Sequence, residues 1–249
     1  EEPENDPLLG QVLEGRYRID ALIGRGGMGA VYKAVQLATG QVVAVKVVRS
    51  ERARDVDAAR RFHREVRAAS LLSHPNTIRV FDFGESEDGD LFMVLEFLSG
   101  RTLGHLMRQT GALPESRVAK IGCEVARSLS EAHAAGLAHR DLKPDNVMLV
   151  NAAGDSDFVK VLDFGIAKFL SGDSGQSSMT GTGLIIGTPQ YMAPEQASGV
   201  RTPTPAVDVY ALGVILYEAL SGTRPFCGDS PMIVMMAHIR DPVPELSPH

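Results

Sequence analysis

The chain has 249 residues, of which 44% are hydrophobic and 22% charged, with a formal net charge of −6. That length holds one large domain or two modest ones, and the apolar share supports a sizeable core. The acidic balance argues against a generic nucleic-acid binder or a polybasic membrane-surface protein, and the two distant cysteines, Cys123 and Cys227, against a disulfide framework or a zinc site.

Residues 1–14 begin Glu1-Glu2-Pro3-Glu4-Asn5-Asp6-Pro7, the opposite of a signal peptide, and read as a flexible, solvated acidic tail. Strand patterns follow. Tyr17–Ile23 leads into a glycine cluster, and Ala30–Val35 and Gln41–Val48 are rich in Val and separated by Thr39-Gly40. Residues 55–72 carry apolar side chains at helical spacing until His74-Pro75-Asn76 stops them. Ile78–Phe83 and Leu91–Phe97 read as antiparallel strands around the turn Glu87-Asp88-Gly89-Asp90.

Beyond Ser99-Gly100 the pattern turns helical. A helix is predicted from Glu115, opened by Pro114, to Ala135, closed by Gly136. Val159–Leu162 is a short strand, and Ser171–Gly187 a Gly-, Ser- and Thr-rich loop of a length usually functional or disordered. Val207–Leu220 is apolar nearly all round and predicts a buried central helix, too short and too interrupted by Asp208 and Glu218 to span a membrane. Met232–Ile239 predicts a shorter helix. Cys123 and Cys227 fit as small buried hydrophobes in a reducing, cytoplasmic setting. The expected class is α+β: a β-rich lobe over residues 15–98 and a larger helical lobe over 99–249.

Several motifs carry chemistry. Gly24-Arg25-Gly26-Gly27-Met28-Gly29-Ala30-Val31 fits G-x-G-x-x-G-x-V. A dinucleotide turn would lead into a helix, but here strand continues, so the backbone N–H groups of a hairpin could approach phosphates. Lys46 stands alone in a Val-rich strand, where a Lys is ordinarily an exposed edge residue. Glu65, in a basic helix, is a candidate partner and equally a candidate for local salt bridges. His139-Arg140-Asp141-Leu142-Lys143-Pro144-Asp145-Asn146 is too long a fixed run to be incidental, and Asp163-Phe164-Gly165, Thr188-Pro189 and Ala193-Pro194-Glu195 follow it in order.

In this order the motifs resemble the eukaryotic-like (Hanks-type) Ser/Thr protein kinases of bacteria, from about Tyr17 to the end of the chain. Gly26-Gly27-Met28-Gly29 and Tyr191-Met192-Ala193-Pro194-Glu195-Gln196-Ala197 are similar to that branch. The resemblance implies the bilobal protein-kinase fold and transfer of the γ-phosphoryl of ATP, with Mg²⁺ or Mn²⁺, to Ser/Thr hydroxyls of protein substrates. By the same resemblance, Lys46 would hold the α- and β-phosphates, oriented by Glu65. Asn146 and Asp163 would bind the metal, Asp141 would accept or orient the hydroxyl proton, and Lys143 would neutralise the γ-phosphate. Ile23, Gly24, Gly26, Gly27, Gly29, Val31, Ala44, Leu95 and Met148 would surround the nucleotide, with the Glu96 and Leu98 backbone at the base edge.

Arg140 would pair with a phosphate on Thr180 or Thr182 after autophosphorylation, within a kinase–kinase dimer, and Asp208 would hold the catalytic-loop backbone. The resemblance also implies an Arg, in helices beyond the one near Met232, pairing with Glu195. No such Arg is found, so the helical lobe is expected to be truncated and Glu195, if buried, a liability. The rival functions are a pseudokinase or ATP-binding scaffold, and a small-molecule phosphotransferase. No nucleic-acid partner and no membrane segment within the chain are expected.

Overall fold

The computed structural model describes residues 6–26, 29–48, 56–152, 154–164, 188–200 and 204–246. Strands β1 (Val12–Leu13), β2 (Tyr17–Gly26), β3 (Gly29–Gln36), β4 (Val42–Val48), β5 (Val80–Glu85) and β6 (Leu91–Glu96) form one antiparallel sheet in the order β1-β2-β3-β4-β6-β5. β3 alternates buried and half-buried, with Ala30, Tyr32 and Ala34 turned inward, whereas internal β4 is buried from Val43 to Val48. That is why β4 reads as an unbroken Val run and β3 as an alternating one.

Tyr17, Ile19, Tyr32, Val45, Val47, Phe92 and Val94 make a core on one face, joined by Leu8, Leu9 and Leu22. Helix α1 (Val56–Ser70) buries Phe62 and Val66 and places the His63 ring 5.6 Å from that of Phe83. These elements belong to a compact unit of residues 1–73 and 78–98.

Residues 6–14 depart from the expected tail. Gly10 N–H donates to the Ile19 carbonyl (2.9 Å) and Ile19 N–H to that of Gln11 (2.9 Å), docking the segment along β2. Leu8 and Leu9 supply the apolar contact that makes docking favourable. Residues 1–5 lie outside the described part.

The second unit comprises residues 74–77 and 99–249. β7 (Gly100–Thr102), β8 (Val147–Ala152) and β9 (Asp155–Val161) form a three-stranded antiparallel sheet. The helices are α2 (Leu103–Thr110), α3 (Glu115–Ala134), the single turn α4 (Pro194–Ala197), α5 (Ala206–Ser221) and α6 (Pro231–Arg240). Thr102 caps α2 by accepting the His105 N–H (3.1 Å), and Ser230 caps α6 through Ile233 N–H (3.3 Å). Gly122 lets α3 approach α5, since a Cβ there would stand 2.9 Å from Leu216 Cδ2.

Residues 74–77 are sewn between α3 and β9. Asn76 Nδ2 donates to Glu124 Oε2 (3.1 Å) and to the Val159 carbonyl (2.8 Å), and Thr77 Oγ1 lies 2.7 Å from Ser128 Oγ. Lys120 with Asp155 (2.5 Å) and Arg117 with Asp157 (2.7 Å) tie the β8–β9 hairpin to the same helix.

α5 is central but not enclosed. Val209 is 63% exposed, and Leu216 and Leu220 are half-buried along an apolar groove with Leu113, Val118 and Leu246. Both cysteines are exposed rather than buried, Cys123 on the rim of that groove. β7, β8 and α2 were not predicted: β7 is three residues with no large apolar side chain, β8 follows directly on the motif ending at Asn146, and α2 spans only eight residues. Among the described residues no helix is long and apolar enough to cross a membrane.

Candidate active site

The chemistry-bearing loop of the second unit is held by one buried carboxylate. Asp208, in the first turn of α5, is 1% exposed. Its Oδ2 accepts the His139 N–H (2.8 Å) and lies 2.7 Å from His133 Nε2, while its Oδ1 accepts the Arg140 N–H (2.8 Å). The expected role of Asp208 as a holder of this backbone therefore matches its contacts. Arg140 has φ +66° and Asp163 φ +60°, left-handed conformations that a non-glycine residue keeps only when its surroundings impose them. Gln196 adds a second clamp, Nε2 donating to the Arg140 carbonyl (3.1 Å).

His139 links this loop to the Asp163 segment. Asp141 N–H donates to His139 Nδ1 (3.3 Å), so Nε2 carries the proton and donates to the Leu162 carbonyl (2.6 Å). The imidazole is thereby a neutral, fully buried spacer, 5.0 Å from the Phe164 ring. Leu162 N–H in turn donates to the Asn146 carbonyl (2.9 Å).

Around Asp141 the polar side chains converge. Lys143 Nζ donates to Asp141 Oδ2 (2.8 Å) and to Thr188 Oγ1 (3.2 Å), and the two charged side chains are only 23% and 14% exposed. Asn146 Nδ2 donates to the Asp141 carbonyl (2.7 Å) and lies 3.4 Å from Asp141 Oδ2. That bond fixes the amide plane and turns Asn146 Oδ1, a hard oxygen donor, away from Asp141. The structure thus brings together Asp141, Lys143 and Asn146 with Thr188, and ties Asp163 to them through its neighbour Leu162. Arg140 contributes a buried Nε with no hydrogen-bond partner among the described residues.

The first unit holds the glycine hairpin. Gly24 and Gly26 lie on β2, and Gly29 opens β3 opposite Gly26, so strand leads to strand. Gly29 has φ +136°, and a Cβ there would fall on the Val47 carbonyl oxygen, which excludes any other residue. At Gly24 and Gly26 a Cβ would meet nothing within 4 Å, so no packing among the described residues demands glycine there. Lys46 is not on an edge: it pairs with Val31 and Met93 in internal β4 and is 9% exposed. Ala44 and Leu95 are cross-strand neighbours and both buried, Val31 is half-buried, and Ile23 is 53% exposed. Glu65 is half-buried on α1.

Glu96 N–H donates to the Arg79 carbonyl (3.0 Å), so that amide proton cannot serve a base edge. Leu98 is half-buried at the end of this unit, whereas Met148 lies on β8 in the second unit. Gly27, Gly165, Thr180 and Thr182 lie outside the described residues. Glu195 is half-buried with no ion pair among the described residues, so the large penalty expected for a buried, unpaired Glu195 does not arise.

Sequence reasoning did not find the supports of the Thr188–Glu195 segment. Tyr191 O–H donates to Glu218 (2.5 Å), and burial followed by this carboxylate pushes its pKa far above 10.0. His238 Nε2 can only donate to the Gln190 carbonyl (3.1 Å), leaving Nδ1 to accept the Tyr210 O–H (2.8 Å). Burial lowers the His238 pKa. These partners lie 27 and 28 residues or more apart in the chain, and no local pattern announces them.

The protein kinase domain family matches residues 17–246. The chain is 44% identical over 242 residues to the Ser/Thr-protein kinase pkn3 of Myxococcus xanthus, covering 97% of this chain and 44% of that protein. It is 44% identical over 246 residues to the Ser/Thr-protein kinase PknA of Mycobacterium tuberculosis, covering 97% and 55% respectively. The chain thus spans about half the length of these relatives. The crystal structure of the Mycobacterium tuberculosis PknI kinase domain superposes with a TM-score of 0.68 at 32% identity, over 87% of this chain and 78% of that one.

Proposed function

The chain belongs to the protein kinase domain family, on its bacterial Ser/Thr branch, and from that premise we propose that it transfers the γ-phosphoryl of MgATP to Ser/Thr hydroxyls of proteins. The family uses ATP and a divalent cation; Mg²⁺ is our assignment. The observation that carries the reading is the Asp141–Lys143–Asn146–Thr188 cluster, a carboxylate and an ammonium held together by a strained loop.

The residues present fit the cofactors. Asn146 Oδ1 and the Asp163 carboxylate are hard oxygen donors of the kind Mg²⁺ takes alongside water and phosphate. The open space over Gly24 and Gly26 leaves their backbone approachable by phosphate oxygens. When bound, the cation would neutralise phosphate charge as transfer proceeds.

The chain's own residues do the rest. Asp141 Oδ2 would accept the proton of the attacking hydroxyl, giving up its bond to Lys143. Lys143, released toward the phosphate, would neutralise charge on the γ-phosphoryl. Thr188 is poised beside both and would contact the substrate hydroxyl. Lys46 would hold the α- and β-phosphates and Glu65 orient it, with Ile23, Val31, Ala44, Leu95, Leu98 and Met148 around the base. Switching would come from autophosphorylation of Thr180 and Thr182 between two copies, the phosphate meeting Arg140. The natural site of action is the cytoplasm, where ATP is available.

Mass spectrometry after incubation with MgATP and a Ser/Thr-containing protein tests this directly. Phosphate should appear on the added protein and on Thr180 or Thr182, and not with Asp141→Asn. Transfer by Asp141→Asn at the wild-type rate, or phosphate confined to Tyr, would refute the reading. A Thr180→Ala, Thr182→Ala double variant as active as wild type after preincubation with MgATP would remove the switch alone.

A further inference from the structure

One buried carboxylate belongs to none of the machinery above. Asp6 sits in the acidic, proline-containing start of the chain, yet its side chain is only 2% exposed. Its Oδ1 accepts the Leu8 N–H (3.0 Å), closing a turn, and its backbone carbonyl accepts the Leu9 N–H (3.1 Å). Among the described residues its Oδ2 accepts from the Tyr32 O–H (2.8 Å) and Arg25 Nη2 (2.5 Å).

Those donors come from the two arms of the glycine hairpin. Arg25 lies between Gly24 and Gly26 on β2, and Tyr32, fully buried, lies on β3 with Leu22 as its cross-strand partner. One carboxylate therefore joins both strands just below the hairpin's tip. Gly24 and Gly26 have no side chains, and the register of β2 on β3 shifts between Leu22 and Gly24. The strand beyond that shift has Arg25 as its one anchoring side chain. Residues 8–12 fix Asp6 in turn, through Leu8 and Leu9 on the core and the hydrogen bonds of Gly10 and Gln11 to Ile19.

Burial shows that the contact is built rather than incidental. A carboxylate this deep needs donors, and it has a charged one, a phenol and a backbone N–H. Arg25 is different. Its side chain is 58% exposed, so it gains nothing from packing that would keep it in this place without Asp6.

We propose that Asp6 is a positioning residue for nucleotide binding, acting through Arg25 to hold the glycine hairpin in the shape that receives phosphates. The proposal rests on the reading of that hairpin as the phosphate-binding loop. Without the latch, the hairpin must be ordered by the nucleotide itself, which raises the KM for ATP and leaves the rate at saturating ATP largely unaltered. A merely structural Asp6 would lower the melting temperature without moving that ratio.

The test is a double-mutant cycle of Asp6→Asn, Arg25→Ala and the pair, with Tyr32→Phe as a separate probe of the anchor. Arg25→Ala is the decisive single change, because an exposed side chain can be removed without unfolding the chain. Each single variant should raise the KM for ATP by roughly three- to fivefold, the reach of a partly exposed ion pair, and the double variant no further. Hydrogen–deuterium exchange over residues 17–36, read without nucleotide, should rise equally in both singles and in the pair. Exchange unchanged in Arg25→Ala, or KM effects that multiply in the double variant, would overturn the latch. Coupled exchange with an unchanged KM would overturn its role in nucleotide binding. A wild-type chain with coupled exchange but no ATP binding would instead refute the phosphate-loop reading, and the positioning role with it.

Discussion

Asp208→Asn exchanges one oxygen of the buried carboxylate for an NH₂ and leaves the volume unchanged, so what it measures is hydrogen bonding alone. If the amide oxygen keeps the place of Oδ2, the NH₂ faces the Arg140 N–H; in the other orientation it faces the His139 N–H and His133. Either way one charge-assisted bond of about 1.5–3 kcal/mol is lost, and a buried N–H is left opposite another donor at about 1–3 kcal/mol. The sum, about 2.5–6 kcal/mol, is a large part of the stability of an ordinary domain, and corresponds to roughly 5–24 °C in Tm at this size.

The loss should be concentrated in the loop. Among the described residues Asp208 and Gln196 hold Arg140 at φ +66°, so the backbone should relax and carry Asp141 away from Lys143 and Asn146. Urea unfolding gives the first quantity, and hydrogen exchange over residues 137–147 the second. A destabilisation below about 1 kcal/mol, with normal protection of that loop, would refute the claim that Asp208 imposes its shape.

Two further outcomes are expected. Lys46→Met and Asp163→Asn should each abolish phosphoryl transfer with melting temperatures near wild type, losing about 3–4 kcal/mol or more of barrier lowering; near-normal turnover by either would sink the assignment. Burial holds His238 below its ordinary 6.5, with donation to Gln190 acting the other way, so the unfolded chain takes up the proton first. Its contribution to stability is whole above pH 6.5 and is lost as pH falls from there through the folded value. Melting curves across that window should be flatter in His238→Gln than in wild type, and an equal slope would count against the argument. The neighbours to weigh in that comparison are Tyr210, which bonds the ring, and Glu195, whose charge acts on Tyr210.

Legibility in the sequence followed the range of the interactions. Periodicity gave α3 and an unbroken apolar run gave α5, each to within a residue or two, because both signals are written in near neighbours along the chain. The strands were found but trimmed: β2 runs on through the glycines to Gly26, since pairing with Gly29 needs only backbone. β8 was missed because its run Val147–Ala152 follows directly on the motif ending at Asn146, where no turn signal separates the two. The motif residues named Asp141, Lys143 and Asn146, which lie within five positions of one another, and the structure adds the bonds between them. Their holders were less visible. His139 and Asp208 are 69 residues apart, and neither the Gln196 clamp nor the Tyr191–Glu218 bond leaves a local trace.

The two misread ends of the scale, Asp6 and the cysteines, have one cause. Composition is an average over a window, whereas burial is decided residue by residue by the donors and apolar contacts that a distant strand supplies. In residues 1–7 the average is acidic and unfolded-like, but Asp6 meets Tyr32, Arg25 and Leu8 N–H, and three donors outweigh the desolvation of one carboxylate. Cys123 fails in the opposite sense. Its type is usually buried, but the face of α3 on which it stands looks into the open groove beside Leu216, so no neighbour covers it. Both residues are settled by what lies across from them: a carboxylate can be held inside a β-rich unit while a thiol stays in water on a core helix.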